Sequence, residues 1–150
     1  MEVGNGLFVY NSRIDPDYQV FVIYEENDLY PQISEEMDRM DTICIMDIKT
    51  NFMIIDGEAI AGMDMDHLLC IESHEIAHVL LDQSGLSEEE AEIESDLVGI
   101  FILETMGFEK ASMILKKRLY DLRDVEYTKE TLLEKIGQIR LDKIIEKFLE

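Results

Sequence analysis

All three histidines of the chain lie within twelve residues, and two of them belong to the segment His74-Glu75-Ile76-Ala77-His78. On an α-helix, residues four apart differ by about 40° in azimuth and about 6 Å along the axis. His74 and His78 can therefore each turn one ring nitrogen toward a single metal ion. The carboxylate of Glu75 can reach a water molecule that the metal activates. These residue types at this spacing predict a metal site with Glu75 as its general base.

A third protein ligand is expected on the next predicted helix, because catalytic zinc sites usually have three protein ligands and one open position. Glu92 and Asp96 are four residues apart and share a helix face. We predict Glu92 as the ligand, with Asp96 accepting a hydrogen bond from the second ring nitrogen of a ligand histidine. Asp96 is the alternative ligand. Gly99 continues this face and would let the two helices approach closely.

Other candidate ligands close to the motif have simpler interpretations. His67 lies about 10 Å before His74 along the helix, so we expect it at the helix cap or lining the cleft. Cys70 is expected to be a buried apolar thiol. Negative side chains favour the first turn of a helix, so a group of glutamates is expected to be solvated there. This group contains Glu88, Glu89, Glu90 and Glu94.

Two helices must hold the motif and its third ligand. The first is expected to extend to Leu81, with Asp66 as its cap and Gly85 as the left-handed residue that ends it. The second begins at a capping box, in which Ser87 is the cap residue and Glu90 follows three residues later.

The remaining chain predicts a small sheet before these helices and further helices after them. The N-terminal third is expected to contain strands at 20–24 and 42–46, a helix at 31–40, and a hairpin of 52–55 and 59–61 around Asp56-Gly57. Amphipathic helices are expected at 109–122 and 128–149; the second could complete the core or limit access to the site. The predicted class is α+β, with a small N-terminal antiparallel or mixed sheet, in a single domain over 1–150.

Composition favours one soluble domain. The 150 residues are 47% hydrophobic and 31% charged, and 13 basic against 34 acidic residues give a net charge of −21. Such a charge opposes binding to a nucleic-acid backbone, so no nucleic-acid partner is expected. No apolar run approaches the ~18 residues of a membrane helix. Cys44 and Cys70 show no pairing pattern, so we expect a cytoplasmic protein without disulfides.

The order His74-Glu75-x-x-His78 followed by Glu92-x-x-x-Asp96 resembles the gluzincin metallopeptidases. The segment 92–99, followed by Gly107-Phe108 and Ala111, is similar to the glutamate-helix region of HtpX-like and CaaX-prenyl-protease-type peptidases. Because no membrane segment is expected, the nearer likeness is to the minigluzincins, which are soluble single-domain versions of that catalytic core. The resemblance covers roughly residues 66–115.

The resemblance implies a zincin-like fold and a soluble zinc metalloendopeptidase. It implies that His74, His78 and Glu92 bind zinc, that Glu75 is the general base, and that Asp96 braces the site. Its substrate would be a peptide or protein, with basic peptides favoured by the acidic chain. A side chain that stabilises the oxyanion is often found downstream in the family, and the candidates left open are Arg118, Tyr120, Arg123 and Tyr127.

Two functions of other classes remain as alternatives. A zinc-binding module of the same type could act through protein–protein contacts without catalysis. An acidic decoy that imitates nucleic acid is permitted by the net charge, but it leaves the ordered set of metal-binding residues unexplained.

Overall fold

The computed structural model describes residues 1–47 and 49–149, and it has an α+β fold with a small mixed sheet and six helices. The elements follow in the order β1 (Glu2–Gly4), β2 (Leu7–Asn11), β3 (Gln19–Ile23), α1 (Tyr30–Met40), β4 (Cys44–Asp47), β5 (Phe52–Asp56), α2 (Met65–Leu80), α3 (Glu88–Thr105), α4 (Glu109–Arg123), α5 (Lys129–Ile136) and α6 (Gln138–Leu149). They form two compact units, Met1–Met63 and Asp64–Glu150. Among the described residues, no helix is both long enough and apolar enough to cross a membrane.

The N-terminal unit contains a five-stranded sheet in the order β1-β2-β3-β5-β4. Strands β3 and β5 are parallel, and the other neighbours are antiparallel. Val20 lies opposite Met53 and Val22 opposite Ile55, and all four side chains are buried. Alternate β-branched and apolar residues of the two central strands thus supply one buried face of the sheet.

The predicted hairpin around Asp56-Gly57 is wrong. Strand β5 pairs with β3 and β4, and residues 57–62 form turns. The Asp56 carboxylate accepts the backbone N–H groups of Glu58 and Ala59, at 3.0 and 3.4 Å, so the chain bends repeatedly instead of returning as a strand. Strands β1 and β2 were not among the predicted elements.

Helix α2 begins after Asp64, two residues before the predicted cap. Asp64 has an extended backbone, and its carboxylate accepts the N–H of His67 at 3.1 Å, whereas Asp66 is inside the first turn. The helix ends at Leu80, and Leu81 is extended. Gly85 has the expected positive φ, +83°, but it lies in the connection to α3 and not at the helix end.

Helix α3 is the centre of the C-terminal unit. Ser87 and Glu90 form the predicted capping box, in which the Ser87 side chain accepts the N–H of Glu90 at 3.1 Å. Residues 94–100 are buried without a break, as expected for a helix enclosed on all sides. Helix α3 contacts α2, α4, α5 and α6.

The predicted helix at 128–149 is interrupted. Gly137, with φ +85°, separates α5 from α6. Both helices contribute buried side chains to the unit, namely Leu132, Ile136, Leu141 and Ile144. These helices therefore form part of the core of the C-terminal unit.

Glu94 is not solvated as predicted; it is buried and paired with Arg140 of α6. The guanidinium donates to both carboxylate oxygens, at 3.1 and 2.9 Å, and the Glu94 side chain is only 9% exposed. Arg140 also donates to the carbonyl groups of Lys135 and Ile136. A bidentate pair of this kind fixes both distance and orientation between α3 and α6. Glu88, Glu89 and Glu90 are exposed as expected.

Replacing Arg140 by Ala should lower the free energy of unfolding by about 2 kcal/mol, because the buried Glu94 carboxylate loses its cation. Lys143→Ala is the matched control, since Lys143 is an exposed basic residue of the same helix, and it should change stability by less than about 0.5 kcal/mol. Chemical denaturation measures both. Equal losses in the two variants would contradict a structural role for the pair.

Candidate metal centre

His74, His78 and Glu92 converge in the C-terminal unit. The two Nε2 atoms are 3.1 Å apart, and one Glu92 oxygen lies 2.8 Å from the Nε2 of His74 and 2.9 Å from that of His78. One ligand atom from each residue lies within 4.8 Å of the other two, so the group could hold a metal ion. The side chains are 17%, 29% and 31% exposed, respectively, so the cluster is open to solvent on one side.

The packing of α2 against α3 produces this convergence. His74 and His78 occupy successive turns of α2, with their ring centroids 4.7 Å apart. Gly99 of α3 allows the close approach that the sequence suggested. A Cβ at that position would lie 3.3 Å from the Ser73 hydroxyl and 3.4 Å from the backbone N of His74. The spacing between the helices therefore leaves little room for a side chain at this point.

Asp96 contacts the other nitrogen of His74. Its carboxylate lies 2.6 Å from the His74 Nδ1 and is 10% exposed. A carboxylate at Nδ1 holds a proton on that nitrogen, so Nε2 is the nitrogen that faces Glu92 and His78 and that a metal could bind. The structure thus places a Glu92 oxygen among the converging atoms and Asp96 at the opposite nitrogen of the His74 ring.

His78 has a different support, which the sequence did not reveal. Its Nδ1 lies 2.8 Å from the Gln83 side-chain carbonyl and 2.9 Å from the Ser95 hydroxyl. Ser95 could have been found from helical spacing, since it follows Glu92 by three residues. Gln83 belongs to no motif, and only the conformation of the connection between α2 and α3 brings it to the site.

The electrostatics of the cluster favour an ionised carboxylate beside positive charge. Burial lowers the pKa of His74, but hydrogen bonds to Asp96 and Glu92 outweigh this effect and raise the pKa to about 10. Hydrogen bonds from His74 and His78 hold the pKa of Glu92 well below its usual range. Because histidine binds metals as the neutral ring, a metal ion would take the place of the Nε2 protons of His74 and His78.

Glu75 lies beside the cluster and is half-buried. Burial raises the pKa of its carboxyl, and the charges of His74 and His78 act in the opposite direction. Among the candidates for an oxyanion role, Arg118 acts electrostatically on Glu75. Arg123 lies 3.5 Å from a Glu89 oxygen, and Lys116 lies over the Tyr127 ring at 5.3 Å from its centroid.

His67 and Cys70 lie as expected outside the converging group. The His67 ring contacts the cap residue Asp64 at 2.7 Å. The Cys70 thiol is buried and donates to the Ala111 carbonyl at 3.1 Å. Burial raises the pKa of this thiol to about 12, so it stays protonated at neutral pH.

Comparison of the chain with family models, with curated proteins and with solved structures gave no match. What the site can do chemically is therefore inferred from its residue types and their geometry.

The two carboxylates of α3 should respond differently to truncation. Glu92→Ala should abolish metal binding at micromolar concentration, because it removes one of the three converging atoms. Asp96→Ala should weaken binding by only about 10- to 100-fold, since it removes a support of His74 and no converging atom. Competition with a chromogenic chelator measures both affinities. Stronger loss in Asp96→Ala than in Glu92→Ala would exchange the two roles.

Proposed function

We propose that the chain is a small zinc-dependent metallopeptidase with a zincin-like core. The observation that carries the proposal is the convergence of the His74 and His78 Nε2 atoms with a Glu92 oxygen, with Glu75 adjacent on the same helix. The resemblance of residues 66–115 to gluzincins, above all to minigluzincins, supports the same function.

The donor set suits zinc. Two imidazole nitrogens and one carboxylate oxygen are common zinc ligands, and oxygen-preferring ions would favour more carboxylates. Tetrahedral zinc with bonds of about 2.0–2.1 Å separates its ligand atoms by roughly 3.3 Å. The observed separations, 2.8 to 3.1 Å, differ from this by a few tenths of an ångström. Small side-chain rotations can therefore accommodate the ion.

Bound zinc would supply Lewis acidity to a water molecule and to the carbonyl of a peptide. Neutral His74 and His78 would hold the ion through Nε2, while Asp96 accepts a hydrogen bond from the Nδ1–H group of His74. Ionised Glu92 would complete the protein ligands. The Glu75 carboxylate accepts the proton of the attacking water and delivers it to the leaving amine. Its partly buried position raises its pKa and makes it a stronger base than an exposed glutamate.

Binding of an extended basic peptide is consistent with the charge of the chain. Residues 1–109 carry 26 acidic against three basic side chains, and this part includes every residue of the proposed centre. We place the protein in the cytoplasm, because Cys44 and Cys70 are both buried thiols. Neither a nucleic acid nor a membrane is a proposed partner.

A non-catalytic zinc module is the second candidate. Structural zinc sites usually have four protein ligands, whereas the group found among the described residues has three. An open position favours catalysis over a purely structural role. The acidic decoy gains no support from this group, because such a protein would need no convergence of histidines.

Glu75→Gln should retain one zinc per chain but reduce hydrolysis of an unfolded protein substrate by at least about 100-fold, because an amide cannot accept the proton. Glu88→Gln, an exposed residue in the first turn of α3, is the matched control and should leave both unchanged. Metal analysis and a peptide-release assay measure the two properties. Native activity in Glu75→Gln would exclude it as the base. A native chain that binds zinc without hydrolysing peptides would instead be the non-catalytic module.

Substrate charge should matter most at low salt. A peptide with lysines flanking the scissile bond should have a kcat/KM about tenfold above that of a glutamate-flanked peptide at 0.01 M ionic strength. The ratio should fall at 0.15 M, where screening acts over about 8 Å. A glutamine-flanked peptide of equal length is the control. A preference that salt leaves unchanged would indicate a specific pocket and not the overall charge.

A further inference from the structure

The two histidines of the centre have unequal positions in their helix. His74 lies in the middle of α2, and Asp96 supports its ring. His78 lies in the last turn, because α2 ends at Leu80. The terminal turn of a helix opens more readily than its interior, so the ring of His78 needs a support from outside α2.

Gln83 supplies that support in one defined orientation. Its amide nitrogen donates to the Ala91 carbonyl at 3.0 Å and to the Ser95 hydroxyl at 3.1 Å. A backbone carbonyl can only accept, so the Gln83 nitrogen must face Ala91 and its oxygen must face His78. Because that oxygen also only accepts, the proton of neutral His78 lies on Nδ1. The Nε2 lone pair is then free to bind a metal.

The connection that carries Gln83 has its own internal hydrogen bonds. The Asp82 carboxylate accepts the backbone N–H and the hydroxyl of Ser84, at 3.1 and 2.8 Å. The N–H of Leu86 donates to the Gln83 carbonyl at 3.2 Å. Through Gln83, this turn is attached at once to the end of α2 and to the first half of α3.

We propose that Gln83 is a positioning residue of the metal centre, which holds His78 as its Nδ1-protonated tautomer and couples zinc binding to the order of the 81–87 connection. The proposal rests on the proposed zinc site, and it does not require peptide hydrolysis. A bound ion would fix the His78 ring, and the ring would in turn hold Gln83 and the connection in place. Zinc should therefore stabilise a segment that contributes no ligand.

Three single variants separate the acceptor that Gln83 offers to His78 from the donor that it offers to α3. Gln83→Met keeps the approximate side-chain volume and removes both the carbonyl acceptor and the N–H donor of the amide. Gln83→Glu keeps an acceptor for His78 but loses the donor to Ala91. Ser84→Ala is the matched control in the same connection, since the Ser84 hydroxyl donates to the Asp82 carboxylate.

Zinc affinity should fall by about 10- to 100-fold in Gln83→Met, remain within about fivefold of native in Gln83→Glu, and be unchanged in Ser84→Ala. In the zinc-loaded native protein, NMR should detect the hydrogen-bonded Nδ1 proton of His78, and Gln83→Met should lose this resonance. Zinc should slow amide hydrogen exchange over 81–87 in the native chain and in Gln83→Glu, which keeps the acceptor for His78, but not in Gln83→Met.

Native zinc affinity in Gln83→Met would overturn the proposal, as would an equal loss in Ser84→Ala. Loss of zinc affinity in a fourth variant, Ser95→Ala, together with native affinity in Gln83→Met, would overturn it in favour of Ser95 as the residue that holds His78. If Gln83→Met does not fold, amide hydrogen exchange in the native chain tests the coupling between zinc binding and the connection. Exchange rates over 81–87 that zinc leaves unchanged would overturn that coupling. Zinc binding without peptide hydrolysis would contradict the peptidase alone, so the two proposals fail separately.

Discussion

Helices α2 and α3 can bring His74, His78 and Glu92 together only where their backbones approach closely, and Gly99 lies at that approach. Glycine disfavours a helix interior by about 1 kcal/mol relative to alanine. Here the missing side chain leaves space for the Ser73 hydroxyl and the backbone of His74. A wider spacing would draw the Glu92 oxygen away from both rings, which now lie 2.8 and 2.9 Å from it. The distance between two helices thus determines whether three side chains form one site.

Helix α3 is held on opposite sides by different charged groups. Glu92 and Asp96 share the face toward α2, and Glu94 lies about 200° around the helix from Glu92. Burying a carboxylate is costly unless a donor or cation compensates it. Asp96 contacts the His74 ring, and Glu94 receives the guanidinium of Arg140. The helix face that carries the candidate metal ligand Glu92 is therefore positioned partly by a pair on the far side of the same helix.

Local sequence patterns predicted the helices and the main residues of the site. The partners that these patterns missed are brought to the site by contacts between residues far apart in the chain or by the conformation of a connection. The capping box at Ser87 and the placement of Glu92 both follow from helical spacing within a few residues. Glu94 was expected to be solvated because its partner, Arg140, lies 46 residues away, where no periodicity connects them. Gln83 reaches His78 through the conformation of a connection, which residue spacing does not specify. The family resemblance, the zinc ion and the peptidase activity remain predictions.

The sequence separation of the Arg140–Glu94 pair also has a consequence for biosynthesis. A ribosome makes every residue of the proposed centre, through Asp96, before it makes Arg140. Until α6 is synthesised, the Glu94 carboxylate lacks its guanidinium partner, and burying it costs more than in the finished fold. The nascent chain therefore has the side chains of the candidate metal centre before it has the cation that pairs with Glu94. The order of synthesis delays the final packing of the centre to the last helix.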